Sequence, residues 1–483
     1  MALREHFERP HGRGAAPPGS HTGAAGGAPC GDLVRISVAI DGRRVSRARF
    51  DAVGCGSALA AGSAAVTLVE GRPLLEAARV GADAIERELG GLSPGGRHAA
   101  ELAADALHRA LGAAARATAD LDGDRGRLLV AMSGGVDSAV AAALAGSRAV
   151  AVTVELWSDP EHDGERSCCS PEAVRGARRL AHGLGLPHFS LDLRAEFRAG
   201  VVEPWMAGHA GGLTPNPCVR CNASVRLDAM LALARRLGAP ALATGHYARV
   251  SGGLLRVARD GGKDQSYVLA AVPLDTLARL RFPLGELRKS EVRELARRLG
   301  LPVADRADSQ DLCFLAGTGR DAFLARHAAL GERPGELQDR SGRRVGAHRG
   351  AHRFTVGQRR GLGIGGGTPL YVLETDPDSG VVTVGPREQL ATGTVTLCDV
   401  VLHRPGFDRV RLRHHQPPLP CAPRPVPGGL ELTLATPAYG VAPGQLACLM
   451  DGELIAGHAT IARQRRSRHP GEATAPTAAP ALA

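Results

Sequence analysis

The stretch Leu128 to Val140, LLVAMSGGVDSAV, constrains the chain more than any other. A short apolar run, a glycine turn closed by Asp137 and Ser138, and an alanine-rich continuation spell strand, loop and helix in that order. Gly134 and Gly135 let the backbone approach a ligand without Cβ obstruction, and the helix start behind them offers unpaired N–H groups to an anion. Ser133 and Ser138 add hydroxyl donors. A Walker loop would end in Gly-Lys-Ser/Thr to set a cation on the terminal phosphates, and no lysine stands in this one. It is a nucleotide loop of another kind.

SGGVDS resembles the signature of the N-type ATP pyrophosphatases, whose members adenylate a carbonyl oxygen and release pyrophosphate. The sequence after it suits such a domain. From Arg127 to about Pro283, strand-like and helical segments alternate as AVAVTVELW (149–157), EAVRGARRLAHGLG, FSLDL and ALATGHYARV. That alternation predicts a doubly wound parallel sheet within a multidomain α/β chain, with ligands at the carboxyl ends of the strands.

Cysteine spacing narrows the chemistry. TPNPCVRCN (214–222) has two prolines that stop regular structure, then Cys218 and Cys221 at C-x-x-C spacing. Alone, such a pair is half a zinc site, a redox pair or chance, and no second C-x-x-C completes a zinc site. DSQDLCF (308–314) adds an isolated cysteine in polar surroundings. Together with SGGVDS, ATGHY and KDQSY, these segments resemble the tRNA-specific 2-thiouridylases from about residue 127 to 463.

The resemblance implies roles residue by residue. Ala131, Met132, Ser133, Gly134, Gly135, Val136, Asp137 and Ser138 would hold ATP, with Mg expected beside it, Gly245 near the nucleotide and Val154 beside adenine. Cys221 matches the family's nucleophile and Cys313 the cysteine that carries a persulfide; the position of Cys218 is aspartate in some members. His246, Lys263, Asp264, Gln265, Arg413, His414 and Gln445 fall where members meet tRNA. The implied partners are tRNA, acted on at its wobble uridine, and a sulfur donor, either a cysteine desulfurase or a sulfur carrier protein. In an alternative mechanism Cys218, Cys221 and Cys313 ligate an iron-sulfur cluster whose fourth site holds incoming sulfide.

Residues 1–115 read as a small α+β domain. Val34, Ile36, Val38 and Ile40 alternate as a half-buried strand, Asp41-Gly42 is a two-residue hairpin turn, and Ala48, Phe50 and Ala52 resume the alternation. A helix follows near Ser57 to Glu70, and Ala99, Leu102, Ala103, Ala106, Leu107, Ala110 and Leu111 make one apolar helical face. HFERPHGRG, APCGD, GCGSA and a helix after His98 resemble the iron-sulfur cluster assembly scaffold proteins, in which three cysteines and an aspartate surround a cluster or zinc. Cys30, Asp32 and Cys55 match, but the third cysteine, expected directly after His98, is Ala99. Cys30, Asp32, Cys55 and His98 are all donor types that zinc accepts, at about 2.0 to 2.3 Å. The other reading is a docking domain without metal.

The remaining segments complete the organisation. Residues 116–126 read as a linker, 127–283 as the catalytic domain and 284–345 as a connecting domain, helical in SEVRELARRLG and irregular around Cys313. LYVLE, VVTVG, TVTLCDVVL and LELTLAT predict a tRNA-contacting β-barrel over 346–463, and 464–483, rich in Pro and Ala, a disordered tail. GLGIGGG precedes a strand rather than a helix, so it is a poor dinucleotide fingerprint. Gln358, Arg359 and Arg360 suit RNA phosphate or plain solvent. Cys168, Cys169, Cys398, Cys421 and Cys448 read as structural.

Net charge is +10, but lysine occurs only at 263 and 289, so the arginine bias reflects genome composition and charge carries little weight. No apolar run reaches membrane-spanning length and the charged N-terminus lacks a signal peptide's apolar stretch, so the expected location is cytoplasmic. Ten cysteines in that compartment point to thiol or metal chemistry, not a disulfide framework. The expected function is ATP-dependent 2-thiolation of tRNA wobble uridine. The competing class is an iron-sulfur or zinc carrier with an inert thiolase half.

Overall fold

The computed structural model describes residues 2–27, 31–118, 121, 126–159, 170–308, 312–315, 317–365 and 368–463. Cys30, Cys168, Cys169, most of the expected linker and the tail at 464–483 lie outside the described residues.

Strands β1 (His21–Gly26), β2 (Leu33–Asp41) and β3 (Arg44–Val53) form an antiparallel sheet. Val34, Ile36 and Val38 are fully buried beneath the helices Gly56–Val69 and Pro94–Ala117, as their alternation requires. The hairpin turn is Gly42-Arg43, one residue later than Asp41-Gly42: Asp41 still pairs with Arg44, and Gly42 supplies the positive φ of 57°. A bulge between Ala39 and Ile40 absorbs the shift. β1 carries no apolar alternation to announce it. Its Gly23 lies so close to the 94–117 helix that a Cβ would stand 2.1 Å from the Ala106 oxygen.

In the second unit, β4 (Leu129–Ala131), β5 (Val150–Glu155), β6 (His188–Asp192) and β7 (Leu242–Ala243) precede a hairpin, β8 (Arg249–Ser251) with β9 (Leu254–Arg256), and then β10 (Leu280–Arg281). The sheet is parallel in the order β10-β7-β4-β5-β6. The chain lays β5 and β6 on one side of β4 and returns to place β7 on the other. The crevice at the carboxyl ends of β4 and β7 is therefore the topological switch point, where such sheets bind ligands.

The 94–117 helix of the first unit covers the edge strand β6. Gly112 makes this approach possible, since a Cβ there would be 1.9 Å from the Ser190 oxygen. Asp105 accepts from Arg175 Nε at 2.8 Å and Arg178 Nη2 at 2.7 Å, while Arg109 Nη2 pairs with Glu155 at 2.7 Å. All of these charged groups are largely buried.

β11 (Gly335–Gln338), β12 (Arg344–His348), β13 (Tyr371–Asp376) and β14 (Val381–Gly385) make a four-stranded sheet around Leu337, Val372, Val382 and Val384. LYVLE and VVTVG, expected within the terminal barrel, are β13 and β14 of this separate sheet, because they have a core of their own. The barrel consists of β15 (Ala391–Leu402), β16 (Arg409–Arg411), β17 (Leu419–Val426), β18 (Gly429–Tyr439), β19 (Leu446–Asp451) and β20 (Leu454–Ile461), closed by pairing of β15 with β20. The β8–β9 hairpin joins it where Arg256 pairs with Leu454. Among the described residues no helix is long and apolar enough to cross a membrane.

Removing Asp105 would strand the buried Arg178 guanidinium between the first two units and leave Arg175 only its longer contacts to Glu101 and Glu172. Asp105→Ala is expected to destabilise the chain by about 3–5 kcal/mol in denaturant unfolding, the usual cost of breaking a buried ion pair. An unchanged midpoint would refute the interface's role.

Candidate active site

The crevice is built from the loop upward. β4 ends at Ala131, and Gly134, at φ 77°, turns the chain where a Cβ would lie 2.9 Å from the Ala173 oxygen. Gly135 is the extended residue before the helix Val136–Ala145, whose first turn has no side-chain cap. The Ser133 N–H donates to Ser138 Oγ at 3.1 Å, and the Ser138 hydroxyl donates to the Gly135 carbonyl at 3.0 Å, so the loop is tied to itself. Gly245, just past β7, packs on the loop with room for no side chain: a Cβ would stand 2.8 Å from Ser138 N. Val154 is half-buried near the carboxyl end of β5.

Charged residues distant in sequence close over Asp137. Tyr247 donates its hydroxyl to Asp137 Oδ1 at 2.7 Å, and Lys289 Nζ lies 2.7 and 2.8 Å from the two carboxylate oxygens. Lys289 also reaches Asp308 at 2.8 Å, as do Lys263 at 2.8 Å and Arg293 at 3.1 Å. Burial opposes ionisation of Asp308, but hydrogen bonds from Lys263 and Lys289 hold its carboxyl down at about 2. Burial, reinforced by Asp137, pushes the Tyr247 phenol far up, so it stays a neutral donor. Arg306 Nη1 donates to the Gly134 carbonyl at 3.0 Å. Both lysines of the chain thus meet at one carboxylate beside the loop.

The cysteine segments approach from the other side. Asn216 caps the short helix Pro217–Cys221 by accepting from Cys218 N at 3.0 Å, and Cys221 is buried while Cys218 is half-buried. Arg220 Nε donates to the Gly200 carbonyl at 2.5 Å, fixing this helix on the helical segment 194–210. Cys313 is half-buried, and Phe314 beside it plugs the same segment, with ring centroids 5.1 Å from Trp205 and 5.9 Å from Phe197. Trp157 and Phe323 complete this aromatic cluster. Both cysteine-bearing stretches therefore rest on one support.

A short hydrogen-bonded path links the chain just beyond Cys221 to the ATGHY segment that packs on the loop. Arg226, five residues beyond Cys221, stands 3.3 Å from His246 Nε2, and His246 Nδ1 is 2.9 Å from Thr244 Oγ1. Arginine only donates, so Nε2 accepts and Nδ1 carries the proton. Burial and the Arg226 charge hold this imidazole down at about 3.

The other expected tRNA positions lie at domain junctions. Asp264 is buried, accepting from Ala258 N, Ser266 Oγ and, at 2.6 Å, the buried Arg411 of the barrel. Gln265 exchanges hydrogen bonds with the Tyr247 backbone. Gln445 Nε2 donates to the Thr214 carbonyl at 2.5 Å, pinning the start of TPNPCVRCN to the barrel, and Arg413 donates to Val356 O. His414 is half-buried, and burial lowers its pKa. Arg359 and Arg360 are exposed. Cys448 is buried, its thiol pushed up to about 12 by burial; Cys421 and Cys398 are only half-buried.

In the first unit Asp32 accepts from Cys55 N at 2.7 Å and from Cys55 Sγ at 3.3 Å. His98 Nε2 is buried without a hydrogen-bond partner among the described residues, and Ala99 is core. Among the described residues no three Cys, His, Asp or Glu side chains form a metal-holding group, here or at Cys218, Cys221 and Cys313. Cys30, one of the four expected donors, lies outside the described residues.

Sequence comparison follows the same divisions. Residues 2–119 match the NifU-like N terminal domain, 126–317 the tRNA methyl transferase HUP domain, 321–386 the tRNA methyl transferase PRC-barrel domain and 392–461 the aminomethyltransferase beta-barrel domain. The bifunctional protein NifU/MnmA of Rubrobacter xylanophilus is 45% identical over 483 residues, covering 95% of this chain and 98% of the relative. This chain belongs to the bifunctional NifU/MnmA family. Its NifU-like domain precedes a thiouridylase-type body, to which the tRNA-specific 2-thiouridylase MnmA of Thermobifida fusca is 45% identical over 357 residues, 70% of this chain and 96% of that protein. The MnmA protein of Sorangium cellulosum is 43% identical over 360 residues, 71% of this chain and 94% of that protein.

Sequence reading of this NifU/MnmA chain missed Lys289, Asp308, Arg293 and Arg306 as parts of the site. The one available signal was that a lysine-poor chain keeps two lysines, one of them in KDQSY.

The folded state holds His246 neutral to about pH 3, whereas an unfolded chain protonates it near 6.5. Its contribution to stability is therefore complete above pH 6.5 and falls as pH drops from there towards 3, by up to about 1.4 kcal/mol per unit. NMR titration should find the His246 ring neutral at pH 5; protonation near 6.5 would contradict the buried geometry.

Proposed function

We propose that the chain 2-thiolates the wobble uridine of tRNA, with ATP activating the carbonyl and a cysteine persulfide supplying sulfur. The observation that carries this reading is the convergence described above: Gly245 packs ATGHY on the phosphate loop at the switch point, Arg226 and His246 tie that segment to the chain just beyond Cys221, and the 194–210 support carries both cysteine-bearing stretches. An amidating or ligating pyrophosphatase would have no use for the two thiols.

A uridine 2-carbonyl is a poor electrophile. On this reading the residues from Ala131 to Ser138 hold the triphosphate, with Gly245 against the nucleotide and Val154 beside adenine. The 2-oxygen bonds to the α-phosphorus and pyrophosphate departs, so the oxygen becomes part of AMP, a good leaving group. A donor protein loads Cys313 with a persulfide. The Cys221 thiolate then attacks the inner sulfur of Cys313 and displaces hydrosulfide, forming a Cys221–Cys313 disulfide. Hydrosulfide adds to C2, AMP leaves with the original oxygen, and an external thiol reduces the disulfide for the next cycle. The cysteines must come within disulfide reach, Cα to Cα below about 7 Å. Gln445 and Asp264, by tying the barrel to TPNPCVRCN and to KDQSY, hold a tRNA-facing surface in register with the crevice.

Mass spectrometry of tRNA nucleosides after incubation with the chain, ATP and a sulfur donor tests the reading. Cys221→Ser and Cys313→Ser should each lower 2-thiouridine formation by about 10³-fold or more, as expected for members of one reacting unit. Cys218→Ser should retain turnover. Unmodified uridine from the unaltered chain would leave a carrier protein as the better account.

A further inference from the structure

The phosphate loop has a deficit that the fold corrects from elsewhere. Its own donors are backbone N–H groups and hydroxyls, all neutral, while a triphosphate brings several negative charges and gathers more on the departing pyrophosphate. SGGVDS contains no lysine. Yet Lys289, more than 140 residues later in the chain, sets its ammonium 2.7 Å from Asp137, the next-to-last residue of that motif. Its side chain is only 12% exposed, and its backbone N–H is fixed by Asp260 Oδ2 at 2.9 Å.

What distinguishes Lys289 from the other cations is that both of its partners are doubly served. Asp137 keeps the Tyr247 hydroxyl if Lys289 turns away, and Asp308 keeps Lys263 and Arg293. Lys289 can leave with Asp308 still paired to two cations and the partly exposed Asp137 still hydrogen-bonded by the Tyr247 hydroxyl. Arg306 is committed to the Gly134 carbonyl and Arg293 to the Ala304 and Arg306 carbonyls. Lys289, Lys263, Arg293 and Arg306 face three carboxylates, those of Asp137, Asp260 and Asp308, so the pocket has positive charge to spare.

We propose that Lys289 is the loop's missing cation: on ATP binding it exchanges its carboxylates for the β- and γ-phosphates and stabilises the departing pyrophosphate. This rests on the adenylation step proposed above. In that step the uridine oxygen bonds to the α-phosphorus while the bond from that phosphorus to the bridging oxygen breaks. The electron pair leaves on pyrophosphate, against the Lys289 ammonium, and nothing is oxidised or reduced.

Calorimetric binding of ATP and AMP to the full chain, with single-turnover pyrophosphate release on tRNA, tests the assignment. AMP lacks the groups Lys289 would meet. Lys289→Met should bind AMP as the unaltered chain does, bind ATP more weakly by about tenfold or more, and release pyrophosphate about 10²–10³-fold more slowly. Lys289→Arg, which keeps the charge, should recover part of the loss, and Asp308→Asn should keep the preference for ATP over AMP. Equal weakening of ATP and AMP by Lys289→Met, or unchanged pyrophosphate release, would overturn the proposal. A labelling experiment on the unaltered chain does not depend on the variant folding: pyrophosphate should protect Lys289 from an amine-acylating reagent and AMP should not, and equal labelling in both would also overturn it. If the unaltered chain bound neither nucleotide, the adenylation reading itself would fail, a result separate from any difference between variants.

Discussion

A Cβ at position 245 would collide with the backbone at Ser138 and Asp137. That single steric constraint presses the segment after β7 onto the loop after β4 and sets the rest of the site. Because the two glycine-bearing segments touch, Thr244 and His246 fall on one side of the contact and Tyr247 reaches Asp137 on the other. Tyr247 and Asp137 in turn offer the place where Lys289 and, through it, Asp308 assemble. The catalytic crevice is thus fixed by close packing of backbone before any charge is placed in it.

The charges hold the pieces that the glycines cannot. Asp308 collects three cations from two segments, and it lies five residues before Cys313, so the electrostatics of the phosphate loop and the tether of the second cysteine share one residue. Beyond Cys313 the chain is held by Phe314 among four aromatic neighbours, in a protein with few aromatic residues to spend. Polar anchoring on one side and aromatic burial on the other leave the cysteine at the end of a short, doubly secured span. A similar economy governs the junction of the first two units, where Asp105 serves two arginines and Gly112 admits the covering helix to β6.

Much of this was legible in the residues. Loop and helix at 131–145, the alternation of strand and helix after it, and the buried face of β2 follow from local periodicity and glycine chemistry, which act over a few residues. The turn at Gly42 slipped by one because a bulge two residues earlier changes the count, and a bulge leaves no mark in composition. β1 was invisible because glycine and alanine pack there without alternation. The cationic hub was missed for a different reason: Lys289 carries no motif of its own, Asp308 stands in DSQDLCF only as a neighbour of Cys313, and only the tertiary fold brings them to Asp137. Separating the four-stranded sheet from the barrel likewise depends on long-range pairing, of β11 with β14 and of β15 with β20.

The central claim is that the nucleotide loop and the thiols of Cys221 and Cys313 act in one pocket. Peptide mapping without reductant, on full chain quenched after a single turnover with ATP, tRNA and a persulfide donor, tests it most directly. The account predicts a disulfide joining the peptides of Cys221 and Cys313, formed only when donor is present. A disulfide between Cys218 and Cys221 with Cys313 unpaired, accompanied by normal thiolation of tRNA, would contradict it.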